Sequence, residues 1–335
     1  MRILLCHKDI GCGPAGGFST LYTELAYQFM SLGHQVAIVT GRQGPRVTGI
    51  ERILITHSDR TARRKEIADV VHAWSPDIVE CPSWGAELLA YIHMPKHAHV
   101  FLRGDIPARY FLNSEYAHDE EILARKAHTI IAISSWCQKE WASIVGKNVA
   151  VVPHGVTTPP ASTAPKDEKL IVWVGKATWM KGIDLLAEIA PHITTAYRLV
   201  CVIAPDRYEQ QERVEKLRHA GATIVSHLSN DAYQTLLAQA TFILSTARRE
   251  GFCLALLEGM AHGAIPVVPD WIGGALDFVT PDLGIIYQSI HDLPKILPIP
   301  DIRNALDLRA QARSYSWART AHESLLLYQQ AEHPL

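Results

Sequence analysis

Short runs of apolar residues alternate with longer amphipathic stretches along almost the whole chain. The stretch after the first run repeats apolar residues at helical spacing: Tyr22, Leu25, Ala26, Phe29 and Leu32. Strands that alternate with helices of this length predict parallel sheets covered by helices on both faces. The predicted strands are Ile3–Cys6, Gln35–Thr40, Ile53–Thr56, Asp77–Glu80, His99–Leu102, Thr129–Ile133 and Val149–Val152, then Leu170–Val174, Arg198–Ile203, Thr223–Val225, Phe242–Ser245 and Ile265–Val268.

The alternation stops between Pro153 and Glu168, where the chain is rich in proline, serine and threonine and has no apolar period. That composition is typical of a linker. Because 335 residues are enough for two domains, we predict an α/β fold of two Rossmann-like, doubly wound domains facing a central cleft. We set their bounds at 1–153 and 154–315, followed by a terminal helix over 316–335. A ligand would lie at the carboxyl ends of the strands.

The composition excludes some classes of partner. The formal net charge is −2, so no basic field is present to hold nucleic acid. Six cysteines are scattered without a C-x-x-C pair, and no His/Cys cluster has metal-ligand spacing, which favours a reducing compartment. The apolar run at the N-terminus is too short for a signal peptide or a membrane span. We therefore expect a cytoplasmic protein.

A glycine-rich segment follows the first predicted strand. Residues Gly11–Gly16 match G-x-G-x-x-G, but the first glycine comes too late after the strand. The strand that ends at Thr40 also carries no acidic residue for the ribose of NAD. Gly16 and Gly17 instead favour backbone amides at a helix N-terminus that approach an anionic ligand. An ordinary tight turn is the alternative interpretation.

Two glutamates and a helix start mark the second half of the chain. Glu250 precedes a predicted helix and Glu258 lies about two turns inside it. The first amides of that helix, from Phe252 to Ala255, would suit a diphosphate, and ionised carboxylates accept several hydroxyl hydrogen bonds. Alternatively, Glu250 complements the helix dipole and Glu258 is a solvated helix residue.

Two lysines, Lys176 and Lys181, follow the first strand of the same half. Cations at that edge could stabilise the charge that develops on a departing diphosphate in place of a metal ion. No D-x-D sequence is present, so Mg²⁺ or Mn²⁺ has no obvious ligands and we expect no metal and no other cofactor. Taken singly, each lysine could equally be a solvated surface charge.

Four motifs together resemble family 4 of the glycosyltransferases. They are G-G-F-x(6)-L-A-x(6)-G-H-x-V at Gly16–Val36, P-x-G-V at Pro153–Val156, V-G-K-x(4)-K-G at Val174–Gly182 and E-G-F-x-L-x-x-L-E-x-M-A-x-G at Glu250–Gly263. The resemblance runs in order over nearly the whole chain, and the two spaced glutamates are its most specific part. It implies retaining enzymes of GT-B fold, and a last helix, around Ser316–Tyr328, that crosses back to the N-terminal domain.

The resemblance also implies roles for individual residues. Glu258 would bind the ribose and Glu250 the donor sugar, and Leu228 would frame the base. The remaining donor-binding residues would be Gly16 and Gly17 from the other domain, Lys176 and Lys181 on the diphosphate, and the amides of Phe252, Cys253, Leu254 and Ala255. The catalytic set would be Glu250, Lys181 and Arg103.

Some positions depart from the family pattern. Many members carry a histidine after a mid-domain strand of the N-terminal half, where this chain has Arg103 and Asp105. Cys253 replaces a glycine of the family pattern, and Asp277 replaces a glutamate. These changes leave the reaction class standing and weaken the transfer of detail about the donor.

The resulting prediction is a metal-independent, retaining glycosyltransferase. It would move a hexose-type sugar from a UDP- or GDP-sugar to a hydroxyl of a small-molecule, glycan or lipid-linked acceptor. A nucleotide-sugar epimerase and a non-catalytic sugar-nucleotide binding protein remain alternatives. The basic run from Arg60 to Lys65 could contact an anionic membrane peripherally, although acidic neighbours favour a solvated face. The histidines form no H-E-x-x-H zinc motif.

Overall fold

A computed structural model of the chain describes residues 1–10, 16–41, 49–95, 97–111, 115–160, 165–208, 210–226, 228–297 and 305–332. The chain divides into two compact units, Met1–Gly155 together with Trp317–Leu335 (unit 1) and Val156–Ser316 (unit 2). Each unit is built on its own parallel sheet with flanking helices. The predicted α/β class with two parallel sheets is therefore confirmed.

Unit 1 contains a seven-stranded sheet in the order β3-β2-β1-β4-β5-β6-β7. Its strands are β1 (Arg2–Cys6), β2 (Gln35–Thr40), β3 (Glu51–Leu54), β4 (Ile78–Pro82), β5 (His99–Gly104), β6 (Thr129–Ala132) and β7 (Ala150–Val151). The helices between them are α1 (Gly17–Ser31), α2 (Arg60–Trp74), α3 (Glu115–Lys126) and α4 (Ser135–Val145). The apolar face of α1 is buried as predicted except for Leu32, which lies just beyond the last turn and is 57% exposed.

Unit 2 contains a six-stranded sheet in the order β10-β9-β8-β11-β12-β13. Its strands are β8 (Asp167–Ala177), β9 (Arg198–Tyr208), β10 (Thr223–Val225), β11 (Ala240–Leu244), β12 (Ile265–Pro269) and β13 (Ile285–Tyr287). Its helices are α5 (Ile183–Ile193), α6 (Gln211–His219), α7 (Asn230–Gln239), α8 (Leu254–Ala261), α9 (Leu293–Ile296) and α10 (Ala305–Arg313). Helix α5 packs against α6, and α8 packs against α10.

The last helix, α11 (Trp317–Glu332), returns to unit 1 and packs against α1 and β5. The Tyr328 ring contacts Phe29 and Phe101, with ring centroids 5.8 and 4.7 Å apart. Within the described ranges no helix combines the length and the apolar character needed to cross a bilayer.

The strand order reverses once in each sheet. The reversal lies between β1 and β4 in unit 1 and between β8 and β11 in unit 2. In open parallel sheets the crevice outside the strands' carboxyl ends at such a point is where ligands bind. The turns that leave β1, β8 and β11 are therefore the positions to inspect.

Candidate functional site

Lys181 and Glu250 meet at the reversal point of unit 2. Lys181 follows β8, Glu250 follows the neighbouring β11, and Lys181 Nζ lies 2.5 Å from Glu250 Oε1. Glu250 is 7% exposed and Lys181 is half-buried. A charge-assisted hydrogen bond fixes both side chains at the ligand-binding edge of the sheet.

The turn that carries Lys181 accepts only glycine at its last position. Gly182 has φ +67°, and a Cβ there would lie 1.9 Å from the Thr246 carbonyl oxygen. Thr246 is fully buried. Its hydroxyl lies 2.9 Å from the Gly182 carbonyl oxygen and accepts a hydrogen bond from Trp173 Nε1 at 3.1 Å. Thr246, two residues beyond the end of β11, thus holds the turn after β8 in place.

The backbone of Glu250 is fixed by the loop that follows β12. Its N–H donates to the Ile272 carbonyl at 2.7 Å, and its carbonyl accepts from the Gly274 N–H at 2.9 Å. Two residues later the Phe252 ring is buried against Phe278. The side chain of Phe252 therefore belongs to the core, and only its backbone amide could serve a ligand.

Cys253 precedes the first residue of α8 in a left-handed conformation, with φ 73° and ψ 70°. Such a conformation is uncommon for a residue with a Cβ. Burial, followed by the charge of Glu250, raises the pKa of the Cys253 thiol. The amides of Leu254 and Ala255 lie in the first turn of α8, where helix geometry leaves N–H groups without intrahelical acceptors.

Glu258 lies inside α8 and is not a solvated residue. It accepts a hydrogen bond of 2.6 Å from the Tyr233 hydroxyl on α7. Burial raises the pKa of Glu258, and the Tyr233 bond offsets part of that rise. Tyr233 could not be predicted as a partner of Glu258, because nothing in the spacing of residues along α7 and α8 shows that the two helices pack together.

Lys176 and Leu228 lie near the carboxyl ends of two strands of the unit 2 sheet, β8 and β10. Lys176 lies one residue before the end of β8, and Leu228 lies after β10, two residues before α7 begins. Both side chains are half-buried.

In unit 1, Gly16 lies immediately before α1 with φ +89°, and apart from its chain neighbours no described residue has an atom within 4 Å of where its Cβ would be. Both Gly16 and Gly17 are exposed. Residues 11–15 of the glycine-rich segment lie outside the described residues. Thr40, where a dinucleotide site would need a carboxylate, uses its hydroxyl to bond the Lys8 carbonyl at 3.1 Å.

Arg103, which the resemblance places in the catalytic set, makes structural contacts inside unit 1. Its side chain is fully buried and bonds both oxygens of the buried Glu80 carboxylate, at 2.9 and 3.1 Å. It also donates to Ser324 Oγ at 3.0 Å, and Tyr328 donates to Glu80 at 2.5 Å. Glu80 raises the pKa of Arg103 although burial opposes it. A guanidinium without exposed surface, held by α11, is a structural anchor. Asp105, the alternative, is half-buried.

The arginines at the start of α2 are occupied inside unit 1. Arg64 is 7% exposed and pairs with Asp119 at 2.7 Å, and the Arg60 guanidinium lies 4.9 Å from the centre of the Tyr116 ring. These contacts tie α2 to α3. They favour a structural role over a membrane-binding patch.

No three His, Cys, Asp or Glu side chains lie close enough to hold a metal ion within the part of the chain that the structure describes. Within the same part, no disulfide joins the cysteines.

Two family descriptions cover most of the chain. Residues 157–290 match "Glycosyl transferases group 1" and residues 15–158 match "Glycosyltransferase Family 4". A phosphatidylinositol N-acetylglucosaminyltransferase subunit from Arabidopsis thaliana is 23% identical over 55% of this chain, and the match spans only 44% of that protein. The uncharacterized glycosyltransferase MJ1607 of Methanocaldococcus jannaschii is 24% identical over 75% of each chain.

Solved structures share the fold. Sucrose-phosphate synthase from Thermosynechococcus elongatus superposes with a TM-score of 0.83 at 17% identity, over 99% of both chains. Anabaena Alr3699/HepE in complex with UDP-glucose gives a TM-score of 0.81 at 15% identity, over 98% of this chain and 100% of that one. Identities this low indicate a common GT-B architecture and nothing more specific.

Proposed function

Since the chain belongs to the family 4, group 1 glycosyltransferases, we propose that it transfers a hexose-type sugar from a nucleoside diphosphate to a hydroxyl acceptor. The observation that carries the proposal is the Lys181–Glu250 pair at the reversal point of the unit 2 sheet. A cation and a carboxylate held together beside a helix N-terminus offer partners for a diphosphate and for sugar hydroxyls at once.

The donor is proposed to be a UDP- or GDP-sugar. Solved structures of Anabaena Alr3699/HepE contain UDP and UDP-glucose, which supports a nucleotide-sugar donor for a chain of the same fold. We assign the ribose hydroxyls to Glu258, whose carboxylate Tyr233 orients, and the donor sugar to Glu250. Leu228 would border the base.

In the proposed reaction the bond from the sugar to the β-phosphate breaks and negative charge grows on the leaving diphosphate. Lys181, Lys176 and the first amides of α8 would stabilise that charge, and Lys181 would need little reorganisation because Glu250 already holds it. Gly16 and Gly17 of unit 1 are proposed as further amide partners. The acceptor oxygen would bond to the anomeric carbon on the face that the diphosphate leaves, while the leaving phosphate oxygen accepts the hydroxyl proton, and the configuration would then be retained. We propose that no metal ion takes part.

The acceptor is proposed to be a small molecule, a glycan or a lipid-linked saccharide bound by unit 1, in the cytoplasm. Asp105 replaces Arg103 as the candidate group at that unit's reacting edge.

Incubation with a panel of radiolabelled UDP-, GDP- and ADP-sugars in excess EDTA tests the proposal. Slow hydrolysis or transfer of one donor is the expected result. A changed sugar on an intact nucleotide would mean an epimerase, and tight binding without turnover would mean a binding protein. Activity that vanishes in EDTA and returns with Mn²⁺ would contradict the metal-independent mechanism.

A further inference from the structure

An open pocket of 420 Å³ lies in unit 2, and none of its described lining residues belongs to α7 or α8. Its described lining comes from the turn after β8, the first turn of α5 and the start of α6: Trp179, Asp184, Gln210, Gln211, Glu212 and Arg213. None of these residues has a role in the proposed donor site. The pocket is large enough to receive a monosaccharide or part of a longer chain.

Trp179 is the one large apolar side chain in this lining, and it is 47% exposed. The Arg248 guanidinium lies over its ring, 4.3 Å from the ring centroid. Arg248 is itself fixed by two bonds to Asp184, at 2.8 and 2.7 Å, and by a third to the Trp179 carbonyl at 2.7 Å. A cation–π contact on a bidentate ion pair keeps the indole plane in position before any ligand arrives.

Both carboxylates among the described lining residues of the pocket are paired with a cation. Asp184 is paired with Arg248, and Glu212 is paired with Lys216 at 2.8 Å beside Arg213. Once these two pairs are formed, Arg213 is the one remaining charge among the described lining residues, so no cluster of like charges is present to select a strongly charged ligand. Gln210 and Gln211 offer amide groups that both donate and accept hydrogen bonds. An exposed aromatic plane beside neutral hydrogen-bonding groups is suited to the C–H face and the hydroxyls of a pyranose ring.

We propose that this pocket is a binding subsite for a neutral oligosaccharide, with one pyranose ring stacked on Trp179. The subsite rests on the proposed function for its link to catalysis: Trp179 and Lys181 belong to one turn, in which the Gly182 N–H donates to the Trp179 carbonyl at 3.0 Å. A glycan held on Trp179 is thereby retained beside the reacting groups between successive transfers.

The indole N–H groups of the full chain, labelled with ¹⁵N-tryptophan, provide the test. The chain has eight tryptophans, and the Trp179→Phe variant identifies the Trp179 signal by its absence. The probes are maltotetraose, cellotetraose and laminaritetraose, with UDP, GDP and ADP added separately. We expect a saturable shift of the Trp179 signal with at least one tetrasaccharide and none with the nucleotides.

Calorimetric titration of the same tetrasaccharide completes the test. Trp179→Ala should weaken binding about tenfold, the upper range of one aromatic contact, and Trp179→Phe should lose less. Leu306→Ala, which removes another exposed apolar side chain of unit 2, should bind like the unaltered protein. The subsite is refuted if no tetrasaccharide shifts the Trp179 signal, or if only nucleotides do. Nucleotide binding that persists in the refuting case leaves the proposed function standing, and glycan binding without nucleotide binding would overturn the proposed function alone.

Discussion

At the scale of single residues, Glu250 and Glu258 should differ in what their loss changes. Glu258→Ala should weaken binding of the nucleoside diphosphate itself, because the ribose is common to donor and product. Glu250→Ala should leave that binding nearly intact and lower turnover, since its contacts tighten as the sugar gains positive charge. A hydrogen bond to a charged carboxylate contributes about 1.5–3 kcal/mol, so calorimetry and steady-state rates resolve both effects.

Tyr233→Phe is the matched control for this pair. It removes the 2.6 Å bond to Glu258 but leaves the carboxylate, so its loss of diphosphate affinity should be smaller than that of Glu258→Ala. Equal loss of diphosphate binding in both glutamate variants would mean that the two carboxylates share one role.

Glu120 on α3 should make stability depend on pH. It is 1% exposed, and burial raises its pKa to about 8 although the Ala108 N–H bonds it at 2.8 Å. The folded-state pKa exceeds the unfolded value of about 4.3. This contribution to stability is therefore complete below about pH 4 and is lost as the pH rises to about 8, at about 1.4 kcal/mol per pH unit.

Glu120→Gln keeps an acceptor for Ala108 and cannot ionise. Urea denaturation should show the variant gaining on the parent between pH 5 and 8, and parallel pH profiles would contradict the assignment.

Residues that act through distant partners could not be predicted from the sequence. The motif placed Lys181 and Glu250 correctly at one sheet edge, because both follow strands that the apolar pattern reveals. Arg103 follows the same kind of strand, but its partners Glu80, Ser324 and Tyr328 come together only when α11 packs on unit 1. The spacing of residues around Arg103 in the sequence does not reveal that contact, so the sequence alone placed Arg103 among the candidate catalytic residues.

At the scale of elements, two turns of the proposed donor site each contain a left-handed residue, a glycine in one and a cysteine in the other. Gly182→Ala would bring a Cβ to 1.9 Å from the Thr246 carbonyl oxygen at φ +67°, so we expect unit 2 to lose at least about 1–3 kcal/mol of stability. Cys253→Gly would relieve a positive φ of 73° and should add about 1 kcal/mol. The midpoints of urea denaturation measure the change in stability of both variants. A stable Gly182→Ala variant would show that the turn is free to move.

The buried ion pair under α11 gives a second prediction at this scale. Arg103→Ala leaves the Glu80 carboxylate unpaired in the core and should cost about 3–5 kcal/mol of unfolding free energy. The double variant Arg103→Met with Glu80→Met removes both charges and should recover at least half of that loss. Urea denaturation measures the recovery. An equal loss in single and double variants would mean that packing, not charge pairing, anchors the helix.

The apolar pattern predicted twelve strands, and all have counterparts in the structure, whereas β13 was missed. Its three residues, Ile285–Tyr287, are too few to show a period. Strand β8 begins at Asp167, inside the predicted linker. Its first residues are polar, so the apolar pattern did not reveal that they belong to a strand. These residues join the sheet through backbone hydrogen bonds, which do not depend on the side chain. The composition of this segment therefore gave no sign of a strand.

At the scale of the whole molecule, each unit has a core of its own. Ligand binding can therefore test whether the two units unfold together or separately. Each unit has its own sheet, and the proposed ribose and sugar contacts all lie in unit 2. A nucleoside diphosphate at about 100 times its Kd should add about 2.7 kcal/mol to the stability of any region that must open to release it. Hydrogen exchange should therefore slow in the slowest amides of β8 and β11 by the equivalent factor, while those of β1 and β4 stay unchanged.

The first turn of α1 should also gain protection if Gly16 and Gly17 contact the phosphates. Glu258→Ala should abolish these changes at the same ligand concentration. Equal slowing in the cores of both units would mean that they open as one cooperative body, and that local variants such as Arg103→Ala destabilise the donor site as well.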